Sequence, residues 1–248
     1  MILCSSHPRV SSIILITVSF VSVLSTSAIA QRRVSGRGIG TVGIVVDERL
    51  SVLRVSPDLS GKLLRRIGRG RAVSIIGQNR SRDGILFYSI IVSRRTRGWL
   101  QKEAVILPRR VGDDERLLRL INASSDFDRV ARARIFLDAF PHSRLRPRVL
   151  LLFGDAAEQA AVRLSQDASR RLNVEEMQAN DAPIFSYSMN YSGLDRYSRQ
   201  GVKFAFDRDQ LKFHYEGASW REIIRRYPRS PEAAQARTRL ARSVAEIK

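Results

Sequence analysis

The first part of the chain alternates short apolar runs with turn residues. Runs rich in valine and isoleucine cover 42–46, 72–76 and 85–92, and Asp83-Gly84 lies between the last two. Short β-branched runs bounded by such residues predict β-strands, and an Asp-Gly pair favours a tight turn because glycine tolerates a positive φ. Five or six short strands within 40–108 predict a small all-β barrel.

Beyond Pro108 the apolar positions recur at helical spacing. In 126–140 and 147–172 they fall three or four residues apart, which predicts two amphipathic helices separated by Pro141. An earlier helix begins at the acidic run 113–115, where carboxylates favour a helix N-terminus. The change of period predicts a second, α-helical domain over 112–248.

A short punctuation motif recurs in this helical part. Phe140-Pro141-His142-Ser143 is echoed by Tyr227-Pro228-Arg229-Ser230, and each copy stands between two helical segments. The pattern of helix, aromatic-Pro-x-Ser and helix resembles the unit of tetratricopeptide-like repeats. The resemblance implies a concave surface that docks a protein partner. An ordinary helical hairpin bundle is the alternative.

Residues 180–216 form an insertion between the two copies of this motif. The segments 202–206 and 211–215 alternate aromatic and polar positions on both sides of a four-residue turn, which predicts a β-hairpin with one aromatic face. A lone hairpin is marginal in water, so we expect it to pack on the helices, with a partner protein as the alternative. The loop before it supplies three candidate ligand-binding residues: Tyr187, Tyr191 and Tyr197.

The strand-rich part also carries a family resemblance. Leu53-Arg54-Val55-Ser56-Pro57, then Leu63 to Val73, and finally Gly98-Trp99-Leu100 follow one another in register. These residues resemble the bacterial SH3-like (SH3b) family, which implies a small SH3-like barrel that binds cell-wall peptide or protein. A groove for an extended ligand is then expected beside five residues: Tyr88, Arg94, Arg95, Arg97 and Trp99. Packing of Trp99 in the core is the alternative.

The N-terminus has the parts of a secretory signal. An uncharged apolar run over 13–24 follows a weakly basic start, and Ala28-Ile29-Ala30 ends it. This pattern predicts a signal peptide over 1–30, cleavage after Ala30, and a linker over 31–39. The run is shorter than the about 20 residues of a spanning helix, although an uncleaved membrane anchor is the alternative. We therefore expect a periplasmic or secreted protein.

Charge narrows the choice of partner. The 248-residue chain has a net charge of +19, and residues 36–110 hold 16 basic and 5 acidic residues. Such a field attracts polyanions. Export disfavours nucleic acid and favours an anionic wall polymer, a lipid surface or an acidic envelope protein. The alternative is a genome-wide preference for arginine, which supplies 38 of the 43 basic residues.

The residues for most catalytic chemistry are scarce. Cys4 is the only cysteine and lies in the predicted signal, while His142 and His214 are the histidines that follow it. Thiolate zinc sites, disulfides and a cysteine nucleophile are therefore not expected, and the histidines lie in unrelated contexts. We expect His142 in a turn and His214 on the exposed side of the hairpin. No cofactor, metal site or enzymatic activity is predicted.

Together these observations predict a mixed, two-domain protein: a small SH3-like barrel followed by a helical, tetratricopeptide-like domain with an inserted hairpin. The expected function is that of a non-catalytic adaptor of the cell envelope. Its barrel would contact peptidoglycan, another wall component or a protein, and its helices would dock a protein partner. A regulatory or targeting subunit of a cell-wall hydrolase is the alternative.

Overall fold

The computed structural model describes residues 40–171, 174–179 and 182–246, so the predicted signal peptide and linker lie outside the described residues. Seven strands form within 40–108, and the predicted run 72–76 lies in a strand, whereas the runs 42–46 and 85–92 each lie in a strand except for one terminal residue. The strands are β1 (Thr41–Val45), β2 (Val52–Arg54), β3 (Leu63–Arg66), β4 (Ala72–Arg80), β5 (Leu86–Ser93), β6 (Thr96–Gln101) and β7 (Val105–Ile106).

The predicted SH3-like barrel is wrong, because the strands form an antiparallel sheet that does not close. Their order is β3-β2-β6-β5-β4-β1-β7, and β3 and β7 each have one neighbouring strand within the described residues. Closure would require a ladder between these two end strands. The two residues of β7 are instead fully buried, and Ile106 packs among side chains of the helices. Helices therefore cover one edge of the sheet, and β3 remains an open edge.

Helices follow where the helical spacing predicted them. The first ends before Ser124, the second ends at Ala139 just before Pro141, and the third is the longest. None of the helices within the described residues is both long and apolar enough to span a bilayer. The helices are α1 (Asp113–Asn122), α2 (Asp126–Ala139), α3 (Arg146–Arg171), α4 (Val174–Ala179), α5 (Ile184–Met189), α6 (Asp195–Ser198), α7 (Ala218–Arg226) and α8 (Pro231–Glu246).

The predicted hairpin is present and packs on the helices. Strands β8 (Phe204–Asp207) and β9 (Lys212–Tyr215) pair in antiparallel fashion. The buried amide N–H of Phe213 donates to the hydroxyl of Ser165 on α3 at 2.8 Å. The expectation that His214 is exposed is wrong: it is buried, and its Nδ1 lies 3.7 Å from Oε1 of Glu158 on α3. Both sides of β9 are therefore covered.

A close approach between two helices depends on a glycine. Trp220 of α7 is fully buried. A Cβ placed on Gly154 of α3 would lie 2.3 Å from Nε1 of Trp220. Any side chain at residue 154 would therefore collide with the indole or push α7 away from α3.

The sheet and the helices share part of one hydrophobic core. Val46 and Ile106, which follow β1 and end β7, are fully buried in the cluster that the helices form. A second cluster, which includes Leu53, Ile90 and Leu100, is formed by buried residues of the sheet and its connections. The chain therefore enters and leaves the sheet at points that are anchored in the helical part.

Buried charges join the sheet to α2, and we call this contact the seam. Asp47, just beyond β1, and Arg132 of α2 are each 4% exposed, and their charged groups lie 3.7 Å apart. Arg132 Nε donates to the carbonyl of Val46 at 3.2 Å, and its Nη1 donates to the hydroxyl of Ser124. Burial lowers the pKa of Arg132 from its ordinary value. A hydrogen bond from Arg49 lowers the pKa of Asp47, against the opposing effect of burial.

A second buried carboxylate holds the first turn of α1 against the sheet. Asp113 is 2% exposed, and its Oδ2 accepts the amide N–H of Leu107 at 2.6 Å. Its Oδ1 accepts from Nε and Nη2 of Arg110, at 3.0 and 2.6 Å. Arg110 Nη1 also donates to the hydroxyl of Tyr88 on β5 at 3.0 Å. The contacts of the sheet with α1 and with α2 are therefore polar as well as apolar, and their buried carboxylates are paired with arginines.

Candidate functional site

One row of residues crosses the sheet from its open edge to β4. Arg54 of β2 is the register partner of both Leu63 on β3 and Trp99 on β6. Trp99 in turn faces Ser89 on β5, and Ser89 faces Gly77 on β4. Residues directly opposite each other in antiparallel strands point to the same side of the sheet. We call the side that carries this row the outer face.

The outer face is the side away from the core of the sheet. Leu53 and Leu100, the chain neighbours of Arg54 and Trp99, are fully buried. Successive side chains of a strand point to opposite faces, so Arg54 and Trp99 point outward. Both are partly exposed. The outer face is therefore accessible to a ligand.

Two small residues continue the row beyond Trp99, on β5 and on β4. Ser89 is small, and a Cβ built on Gly77 would have the Cβ of Ser89 at 3.7 Å as its one contact within 4 Å. Ser89 and Gly77 therefore add little side-chain bulk to this row, although the larger Phe87 and Ile91 flank Ser89 on the same side of β5. An aromatic ring beside small residues offers a flat apolar surface on which a ligand can lie.

Four arginines lie on the strands that carry this row or in the turn beside them. Arg54 Nη1 donates to the carbonyl of Gly61 at 2.7 Å, which fixes the guanidinium beside the loop of the β2–β3 hairpin. Arg97 lies two residues before Trp99 on β6, so it points to the same face. Arg94 and Arg95 form the turn between β5 and β6. The turn and the two strands therefore gather positive charge around one aromatic side chain.

The charges of this group are not neutralised internally. Arg94, Arg95 and Arg97 are exposed, and their side chains have neither an ion pair nor a hydrogen bond among the described residues. Arginines of the helical part more often have acidic partners, as in the pairs Arg146–Glu222 at 3.1 Å and Arg239–Asp155 at 3.1 Å. Uncompensated cations on an open surface attract anions.

The predicted site residues separate into three places. Arg94, Arg95, Arg97 and Trp99 are together at the outer face, as just described. Tyr88 is 5% exposed and points to the opposite side, into the core, where its hydroxyl is bound by Arg110.

The three tyrosines of the loop lie far along the chain, among the helices and the hairpin. Tyr197 is 1% exposed and makes edge contacts with the rings of Phe127 and Phe204, at centroid distances of 5.3 and 5.9 Å. Tyr187 and Tyr191 are partly buried, and Tyr191 packs against the helical core. The structure therefore does not bring these tyrosines to the outer face.

The sequence interpretation missed Arg54 as part of the site. Its proximity to Trp99 depends on the pairing of β2 with β6, which are more than forty residues apart in the chain. In the structure, the burial of Leu53 between the partly exposed Val52 and Arg54 shows that Arg54 points outward, and no local feature of the sequence indicated its pairing with Trp99.

Two cavities among the described residues lie away from the outer face. One of about 290 Å³ is lined by Asp155, Trp220 and Arg239 between helices, and an open groove of about 420 Å³ is lined by Arg109, Phe140 and others near the start of α1. Within the described residues, no three His, Cys, Asp or Glu side chains are arranged to hold a metal ion. The outer face is an open surface rather than a pocket, and it suits an extended ligand.

Comparison with known proteins gives no family for this chain. No family model matches it, and no curated protein or solved structure is similar to it at a significant level.

Proposed function

We propose that the protein is a non-catalytic binding protein of the cell envelope, and that its outer face holds an anionic wall polymer. The observation that supports this proposal is the group of unpaired arginines around Trp99. Export, which the N-terminal sequence predicts, would bring this surface to wall polymers rather than to nucleic acid.

The chemistry of the group fits such a ligand. A guanidinium binds carboxylate or phosphate through two parallel hydrogen bonds, which makes arginine well suited to these groups. The carboxylates of wall peptides and the phosphates of wall polymers both offer this geometry. The indole of Trp99 and the small residues Ser89 and Gly77 can accept the flat side of a sugar ring between two charged groups.

The helical part takes the role of a docking domain in this proposal. Its long helix α3 and the helices around it would hold a second envelope protein, while the sheet holds the wall. The protein would then connect the two without carrying out chemistry on either.

The experiment is co-sedimentation of the purified protein with insoluble peptidoglycan over a range of salt concentrations. Wild-type protein should pellet with the wall. Trp99→Ala should weaken binding about tenfold, since loss of a central aromatic contact costs on the order of 1.4–2 kcal/mol. The triple variant Arg94→Ala/Arg95→Ala/Arg97→Ala should bind more weakly and depend less on salt, because exposed charges are screened beyond about 10 Å at 0.1 M.

A matched control separates the site from net charge. Arg225, Arg229 and Arg237 are exposed and have no ion-pair partner among the described residues. Their triple alanine variant loses the same charge from the helical part and should pellet almost as wild type does. Equal retention of both triple variants and of Trp99→Ala would refute the proposal.

A further inference from the structure

The open edge of the sheet is a second surface with unmet binding capacity. Strand β3 has β2 as its one neighbour within the described residues, and all four of its residues are exposed. An edge strand presents a row of backbone N–H and C=O groups that can pair with another strand. The opposite edge, β7, is buried under the helices and offers no such row.

Apolar side chains are concentrated at the same edge. Val55, Leu59, Leu63 and Leu64 are 54%, 45%, 50% and 46% exposed, and all four lie in or next to the β2–β3 hairpin. Single exposed apolar residues are ordinary, but a cluster on one short hairpin marks an interaction surface. The hairpin itself has no hydrogen bond or ion pair to the helices within the described residues.

A bulge determines what an added strand would meet. Leu53 pairs with Arg65 and Arg54 pairs with Leu63, so Leu64 is an extra residue on β3. Bulges re-aim side chains at sheet edges. Leu63 continues the outer-face row, whereas Arg65 lies opposite the buried Leu53 and points to the other side. A strand beside β3 would therefore find apolar and cationic side chains within reach.

Charge decides which strand can pair there. Lys62, Arg65 and Arg66 are exposed, and their side chains have no ion pair or hydrogen bond among the described residues. Residues 51–71 contain six basic residues and one acidic residue, Asp58. Like charges on directly opposed strands are destabilising, so a second copy of β3 is a poor partner. The chain's own segment 31–39 has three arginines and no acidic residue, and the same repulsion disfavours it.

We propose that β3 binds an extended, acidic segment of a partner protein, which joins the sheet as an additional strand. Backbone hydrogen bonds would supply binding, and carboxylates on one side of the added strand near Arg65, or on its other side near Arg66, would supply selection. The cations that prevent self-association of an open edge would thus also choose its ligand. This site takes a different class of ligand from the outer face and goes beyond the proposed wall binding.

The observations favour a strand over a lipid surface. The tip of the hairpin carries Asp58, whose carboxylate accepts hydrogen bonds from the amide and the hydroxyl of Ser60, both at 2.7 Å. An acid and a serine at the tip are unfavourable for insertion into anionic headgroups. The exposed backbone groups of β3, in contrast, can form hydrogen bonds with an added strand, whereas binding to a lipid surface would not use them.

The experiment uses the whole protein and a fluorescent synthetic peptide of alternating valine and glutamate, slightly longer than β3. Binding is measured by anisotropy. Replacing every glutamate by lysine should abolish it. Methylating alternate backbone nitrogens along one edge of the peptide should weaken binding at least about tenfold, whereas methylation along the other edge should not, because an added strand hydrogen-bonds through one edge.

Two variants of the protein complete the test. Arg65→Glu/Arg66→Glu should weaken binding of the peptide at least about tenfold through like-charge repulsion. Arg94→Glu/Arg95→Glu, which makes the same change in net charge at the outer face, should bind the peptide as wild type does and lose wall retention instead. The two proposals can therefore fail independently.

Any one of four results would overturn this inference. Three of them are equal binding of both methylated peptides, equal binding of the lysine peptide, and loss of binding in both charge-reversed variants alike. A fourth is the absence of peptide binding together with retention on phosphatidylglycerol vesicles that depends on Arg65 and Arg66, which would assign the edge to lipid.

Discussion

The seam can be tested by removing its buried cation. Arg132 of α2 donates to the carbonyl of Val46 and to the hydroxyl of Ser124, and it lies 3.7 Å from Asp47. Arg132→Met keeps most of the aliphatic length of the side chain and removes the charge and every donor. The sheet and α2 would then remain in contact through apolar side chains alone.

The expected loss follows from these contacts. A hydrogen bond that involves a charged group contributes about 1.5–3 kcal/mol, and Arg132 makes two of them. Part of the loss is offset, because burying methionine costs less than burying a cation and because Asp47 keeps its bond to Arg49. We expect the free energy of unfolding to fall by about 3 kcal/mol.

Urea unfolding at neutral pH measures this change, with Arg134→Met as the matched control. Arg134 is on the same helix, but it is more exposed and pairs with Asp138 four residues on, at 3.1 Å. A surface pair of this kind contributes about 0.3–0.5 kcal/mol. If Arg132→Met destabilises the protein no more than Arg134→Met does, the buried charges do not hold the sheet to the helices, and the reasoning is wrong.

Three further changes test the packing and the charges. Gly154→Ala places a methyl group against Trp220, so we expect a cost of about 1–3 kcal/mol and a lower melting temperature by calorimetry; an unchanged temperature would contradict this. Ser165→Ala leaves the buried N–H of Phe213 without its acceptor and should lower the free energy of unfolding in urea by about 1–3 kcal/mol; a loss below about 0.5 kcal/mol would count against that bond. Because the pKa of Asp47 is lowered on folding, its stabilisation is present above the ordinary value of about 3.9 and is lost as the pH falls through the lowered value. Asp47→Asn should therefore unfold with a weaker dependence on pH below about 4 than wild type, and an identical dependence would refute this assignment.

Local patterns predicted most of the elements but not how the strands assemble. Short runs such as Ile85 to Val92 predicted strands because periodicity and turn residues act over a few neighbours. Closure of a sheet depends on whether its two end strands pair with each other. That pairing is determined by contacts between residues that are far apart in the sequence. The burial of Ile106 under the helices leaves β7 unable to pair with β3. The expected barrel failed for this reason.

The candidate site was predicted in part for the same reason. Trp99 and the arginines before it are neighbours in the sequence, so their grouping was visible. Arg54 joins them through a long-range pairing. Tyr88 lies within β5, where successive side chains point to opposite faces of the sheet. The sequence alone did not decide which of these faces would be the inner one.

The way in which the sheet is anchored has a consequence for evolution. Val46 and Ile106 fix its first and last strands in the helical core, while the β2–β3 hairpin and the turn at Arg94 and Arg95 make no polar contact with the helices within the described residues. Substitutions at the anchored ends should be removed by selection, because they disturb both parts of the molecule at once. The hairpin and the turn can change length and charge without disturbing the contact between the sheet and the helices. Related lineages should therefore keep the seam and diversify their ligands through these two loops.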